Sequence, residues 1–282
     1  MAAEGTIRLL VSCGDRPGIV AAVSSFLFER GANIVDAEQH STVDRFFLRI
    51  EAELVAGDDA NAVGAAFTGL ANSFDMDWRL ARPDPAKRVA ILVSRYNHCL
   101  LDLLSRFEQG ELEGRPVLIV SNHPELESTA AHFDLPFHYV PVTKETKADA
   151  EAQVLSLLNG NCELVVLARY MQILSAEFLE RLIAPAINIH HSFLPAFAGA
   201  NPYDRALERG VKVIGATAHY VTANLDEGPI IEQDIARVSH RDSREDLVRI
   251  GRDIERLVLA RAVRLQLEDR VLVDGARTVV FR

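Results

Sequence analysis

Leu164-Val165-Val166-Leu167 is a short apolar run that opens directly into Ala168-Arg169-Tyr170-Met171-Gln172-Ile173-Leu174. An unbroken apolar run of this length suits a strand buried on both faces rather than one that alternates inward and outward. Residues 89–93, 117–120, 137–140 and 186–189 have similar character, and helical patterns separate most of these segments, over 99–107, 124–133, 147–158 and 176–182. Strands that alternate with helices predict an α/β domain built on a mostly parallel, Rossmann-like sheet covered on both faces. Such sheets bind ligands beyond the C-terminal ends of their strands, so the segments that follow strands are the ones to search.

Upstream of this region the rhythm is different. Residues 7–13 form an apolar, β-branched strand followed by Asp15-Arg16-Pro17-Gly18. A helical pattern over 19–30 then places Val20, Val23, Phe26 and Leu27 on one face, and Gly31 ends it. Strands over 33–40 and 45–54, a helix over 60–70 and a strand over 74–80 complete the order βαββαβ, the ferredoxin-like unit. Two prolines in Arg82-Pro83-Asp84-Pro85 stop a strand and stiffen the connection. The expected organisation is an N-terminal domain over 1–82, a linker over 83–86 and a second domain over 87–282; a length of 282 residues fits two domains at about 150 residues each.

Hydrophobic residues make up 49% of the chain and charged residues 25%, as in ordinary globular proteins. The net charge of −10, with no basic run, argues against nucleic-acid or anionic-membrane partners. Cys13, Cys99 and Cys162 form no paired metal-ligand or disulfide spacing and read as buried reduced thiols. The opening residues lack the pattern of a secretory leader, and no apolar stretch approaches the ~20 residues of a membrane span, so a cytoplasmic protein is expected. No Walker A loop, GxGxxG, HExxH or GxSxG motif occurs.

Three strand-following segments carry the polar residues. The first is 168–174. The second runs Asn188-Ile189-His190-His191-Ser192-Phe193-Leu194-Pro195, and the third runs from Gly215 through His219-Tyr220 to Asp226-Glu227-Gly228-Pro229. Asn188 and His190 lie two apart on a strand end and point the same way, whereas His191 points away, which disfavours a His190/His191 metal pair. An imidazole beside a carboxamide suits a developing oxyanion, and a nearby carboxylate would orient the ring and favour its protonated form. Spacing alone leaves a capped turn at Asn188 and a hydrogen-bonded buried imidazole at His190 equally open, and it favours a turn aspartate at Asp226. His219 reads as a structural hydrogen-bonding residue.

Taken together, Asn188-x-His190-x-Ser192-x-x-Pro195 and Asp226-x-Gly228-x-Ile230-x-x-Gln233 resemble the 10-formyltetrahydrofolate-dependent formyltransferase superfamily. Over nearly the whole chain the likeness is to its deformylase branch. It includes His98-Cys99-Leu100-x-Asp102-Leu103-Leu104, Ala168 to Leu174, and Arg209-Gly210-Val211-Lys212-x-Ile214-Gly215-Ala216-Thr217-Ala218-His219-Tyr220. His191 stands where purine-pathway transformylases usually have Pro, as in deformylases, while Asp204 departs from the family pattern after Tyr203.

The resemblance implies hydrolysis of 10-formyltetrahydrofolate to tetrahydrofolate and formate, supplying formate for purine synthesis. The catalytic residues would be Asn188, His190 and Asp226, with His190 held protonated by Asp226. Met171, Gln172, Ile173, Leu174, Val221 and Leu225 would contact the folate. No metal and no cofactor beyond the substrate is implied. The N-terminal unit resembles an ACT-type regulatory domain, which implies a homo-oligomer and an amino-acid effector such as glycine or methionine, with Asp15, Gly18 and Asn33 as contacts. The alternatives are formyl transfer to an amine such as glycinamide ribonucleotide, and a catalytically silent amino-acid sensor.

Overall fold

The structure is a computed structural model in which residues 5–54, 59–195 and 202–282 are described; residues 1–4, read above for a leader, lie outside this set. The chain divides into two compact units. One holds the described residues up to Ala86 together with Glu268–Asp274 and Thr278–Arg282, and the other holds Lys87–Leu267 and Gly275–Arg277.

The first unit runs β1 (Thr6–Gly14), α1 (Ile19–Phe28), β2 (Asn33–Ser41), β3 (Arg45–Glu53), α2 (Ala60–Ser73) and β4 (Asp77–Ala81). Its antiparallel sheet has the order β2-β3-β1-β4, as the βαββαβ reading requires. Gly18 admits the chain to α1 with φ of 95°, a conformation that a residue with a β-carbon rarely adopts. The helix buries Ile19, Val23, Phe26 and Leu27. Val20, expected on that face, is instead 42% exposed, because the inward stripe starts one residue earlier. Phe67 meets both Phe26 and Trp78 edge to face, with ring centroids 5.1 and 5.0 Å away, joining the two helices and the edge strand in one core.

The second unit contains β5 (Lys87–Val93), α3 (His98–Glu108), β6 (Gly114–Ser121), α4 (Glu127–His132), β7 (Phe137–Tyr139), α5 (Lys147–Leu158), β8 (Leu164–Leu167), α6 (Ala176–Arg181), β9 (Ala186–His190), α7 (Pro202–Arg209), β10 (Val213–Tyr220), β11 (Ile230–Arg237) and α8 (Arg244–Leu267). The sheet order is β11-β10-β9-β8-β5-β6-β7. From β9 to β7 the strands are parallel, and β10 runs antiparallel to both of its neighbours. The strand order reverses between β5 and β8, which sets the loops leaving those two strands side by side. Ser94 donates its N–H to the Arg169 carbonyl at 3.2 Å, and its hydroxyl accepts the Met171 N–H at 2.9 Å.

The helix α8 begins at a reciprocal cap, in which Ser243 donates its N–H to Asp246 Oδ2 and accepts the Asp246 N–H at its hydroxyl. Beyond α8, β12 (Val271–Asp274) and β13 (Arg277–Val280) form a two-stranded sheet. The reading that assigns 87–282 to one domain places this tail differently from the compact units. Charge accounts for its position: the wholly buried Arg49 of β3 donates to the Asp269 and Glu268 carbonyls at 3.2 Å each, and Arg79 of β4 pairs with Asp269 at 3.0 Å.

Candidate active site

The strand β9 ends in Asn188 and His190, and its antiparallel partner β10 sets His219 opposite Asn188 and Thr217 opposite His190. Two residues apart on a strand, the paired polar side chains share one face of the sheet. Beyond β10 the chain turns back through Asp226, whose φ is 59°. The left-handed region is one that Asp tolerates better than most residues. Gly228 then passes so close to β10 that a β-carbon there would lie 1.7 Å from the Tyr220 carbonyl oxygen. That close approach, sealed by the Tyr220 N–H donating to the Pro229 carbonyl at 2.9 Å, delivers Asp226 to the end of β9.

Asp226 Oδ1 lies 3.2 Å from His190 Nδ1 and 3.9 Å from His219 Nε2. His190 is buried, and its Nε2 makes no hydrogen bond. His219 donates from Nδ1 to the Tyr220 carbonyl at 2.9 Å, so in the neutral ring Nε2 accepts from the Asn188 carboxamide nitrogen at 3.3 Å. Burial lowers the His190 pKa below its ordinary value, and the opposing charge of Asp226 does not restore it. The expectation that His190 is held protonated is corrected: burial costs the cation more hydration than the single carboxylate of Asp226 returns. Burial lowers His219 as well.

Asn188, His190, His219 and Asp226 all line one cleft of about 350 Å3, a volume in the range of small-molecule sites. The six expected contacts, Met171, Gln172, Ile173, Leu174, Val221 and Leu225, line it too. Met171, Ile173 and Leu225 are 53%, 61% and 58% exposed, an unusual display of large apolar side chains that forms a ready wall for a flat ring system.

Arg169 also lines this cleft, and it lies beside Glu255, whose other partners are His98 and Tyr203. Glu255, on α8, is almost wholly buried. His98 Nε2 lies 2.8 Å from its Oε2, and Tyr203 donates to its Oε1 at 3.0 Å. Burial opposes its charge, yet the His98 hydrogen bond and the Arg169 guanidinium hold its carboxyl below the ordinary range. Only the apolar period of 244–267 and the capping pair Ser243/Asp246 mark this helix in the sequence. Among the described residues His98, Cys99 and Glu255 are the one group with potential metal-ligating atoms close together. Burial pushes the Cys99 thiol well above its usual range and the Glu255 oxygens are already engaged, so the group reads as a hydrogen-bonded network. Asp204 pairs with Arg244 at 2.6 Å on the surface.

The expected effector contacts do not converge within the chain. Asp15 and Gly18 follow the Gly14 end of β1, whereas register places Asn33 beside Glu53, which pairs with Thr6 at the opposite end. The cause is α1, which carries the chain back along the sheet before β2 begins.

Residues 87–263 match the family model described as formyl transferase, and residues 7–66 match the ACT domain. The chain is 53% identical over 279 residues to the formyltetrahydrofolate deformylase of Bacillus subtilis (strain 168), covering 97% of this chain and 93% of the relative. It belongs to the formyltetrahydrofolate deformylase family. The deformylase of Mycobacterium tuberculosis (strain ATCC 25618 / H37Rv) is 52% identical over 281 residues, covering 97% and 90% of the two chains. The crystal structure of a formyltetrahydrofolate deformylase from Pseudomonas syringae pv. tomato str. DC3000 superposes with a TM-score of 0.95 at 49% identity, covering 98% of this chain and 94% of that one. No helix among the described residues is long and apolar enough to cross a membrane.

Proposed function

We propose that this chain hydrolyses 10-formyltetrahydrofolate to tetrahydrofolate and formate, with Asn188, His190 and Asp226 as its catalytic residues. The observation that carries the reading is the unpartnered His190 Nε2 inside an apolar-walled cleft, with Nδ1 held by Asp226. With the Nδ1 proton directed at Asp226, the Nε2 lone pair faces the cleft, where it takes a proton from the attacking water and returns one to N10 as the C–N bond breaks. Asn188, oriented by His219, donates to the oxyanion that forms on the formyl carbon; removal of one such donor typically costs ~10²–10³ in rate. Met171, Gln172, Ile173, Leu174, Val221 and Leu225 hold the folate, which is the substrate, and the reaction needs no other cofactor.

The N-terminal unit, read over 1–82, is proposed as a regulatory domain joined by the linker 83–86 to the catalytic region from residue 87, within a cytoplasmic homo-oligomer. Its ACT-domain match supports an amino-acid effector, with glycine and methionine as first candidates and the Asp15–Gly18 end of the sheet as the place to look. The test of the main reading is incubation of pure protein with 10-formyltetrahydrofolate, with and without glycinamide ribonucleotide. Stoichiometric formate and tetrahydrofolate, indifferent to the amine, are expected. Formyl transfer to the amine without free formate would replace hydrolysis by transfer.

A further inference from the structure

Arg169 follows β8 and lines the cleft, with φ of 66° and a side chain only 10% exposed. Its guanidinium makes no hydrogen bond to any described residue. Its nearest anion is Glu255 Oε2, 3.5 Å from Nε, but His98 already engages that oxygen and Tyr203 the other. The remaining contact is the Tyr96 ring, 5.5 Å from the guanidinium carbon, which attracts the cation but accepts no conventional hydrogen bond. A guanidinium taken out of water is costly unless its donors are used. His190 Nε2 is likewise buried and unpartnered, and it lines the same cleft. Glu255 balances the charge of Arg169 without accepting a hydrogen bond from its Nε.

We infer that Arg169, with the Nε2 edge of His190, forms a binding site for a small carboxylate, the formate released on hydrolysis. This rests on the hydrolytic reading, and the chemistry balances. Water adds its oxygen to the formyl carbon, the carbon–N10 bond breaks, and N10 takes one proton. Formic acid then loses its proton to His190 Nε2, and the resulting formate accepts hydrogen bonds from Nε2–H and from the planar guanidinium, whose donor spacing matches a carboxylate. The site would hold the product until His190 returns its proton to solvent.

The test is titration of the full-length wild type and of Arg169→Gln and Arg169→Lys with sodium formate, with sodium acetate and sodium chloride as controls for size and ionic strength. Calorimetry and product inhibition of hydrolysis are the readouts. Formate is expected to bind and inhibit the wild type more tightly than acetate or chloride. Loss of the charged hydrogen bonds in Arg169→Gln is expected to weaken formate about tenfold or more, with Arg169→Lys between the two. Should the variants fail to fold, 15N-arginine-labelled wild type provides the readout, since formate should shift one buried guanidinium Nε–H resonance and chloride should not. An enzyme that hydrolyses the formyl folate but shows no formate-specific binding, inhibition or arginine shift overturns the site and leaves the hydrolytic reading intact. Absence of hydrolysis overturns that reading instead, and a formate-specific arginine shift in that same protein would still support the carboxylate site.

Discussion

His219 stands across the β9–β10 pairing from Asn188, and its Nε2 lies 3.3 Å from the Asn188 carboxamide nitrogen. Because Nδ1 is tied to the Tyr220 carbonyl, the ring presents an acceptor to Asn188 and fixes which way that carboxamide faces. His219→Ala should therefore lower kcat by about 10-fold or more with a smaller change in KM, since the interaction it supports is made in the transition state. His219→Gln, which retains an acceptor, should recover part of the loss. Steady-state kinetics of the folded variants decide the matter; unaltered kcat in both removes the positioning role.

Asn188→Ala, His190→Ala and Asp226→Ala should each lower kcat by about 10²-fold or more, with modest change in folate affinity. Asp226 touches His190 at 3.2 Å, so the His190/Asp226 double variant should lose little beyond the worse single one. A double-mutant cycle on kcat checks this, and strict additivity would mean that the two residues do not act as a unit.

The pH profile follows from burial of His190. A depressed pKa leaves the ring neutral at pH 7, and its Nε2 lone pair is the working form. The kcat/KM should fall as pH drops through a pKa below 6.5, and this ionisation should cause no loss on the alkaline side. This reverses the sign expected from a protonated His190. Asp226→Asn removes the charge that favours protonation, so the acid limb should move to still lower pH. An NMR titration of His190 showing a cation at pH 8 would contradict this assignment.

Gly228→Ala tests the backbone that delivers the carboxylate. Its β-carbon would meet the Tyr220 carbonyl oxygen at 1.7 Å, so the strand or the turn must move. Displacing Asp226 by as little as 1 Å costs on the order of 10² in rate when geometry is this tight. Kinetics together with circular dichroism should show a folded protein of much lower kcat; wild-type kcat would show that the turn accommodates the methyl group.

The two larger sheets were legible in the sequence because their signals are local: unbroken apolar runs between helical periods in one half, and a βαββαβ order with Gly18 and Gly31 as punctuation in the other. The paired motifs around Asn188–Pro195 and Asp226–Gln233 marked the proposed catalytic residues, and Met171 to Leu174 one wall of the cleft they share. What the sequence could not convey was contact between residues far apart along the chain. The His190 environment depends on strands that shield it from water, so the direction of its pKa emerged only from packing. Asn33 looked adjacent to Asp15 because both flank α1, yet the helix separates them by the length of the sheet. Arg169 and Glu255, 86 positions apart, meet only because the fold brings the segment after β8 against α8. Local periodicity is written in neighbouring residues; electrostatics is set by whatever else the fold brings near and by how much water it leaves between.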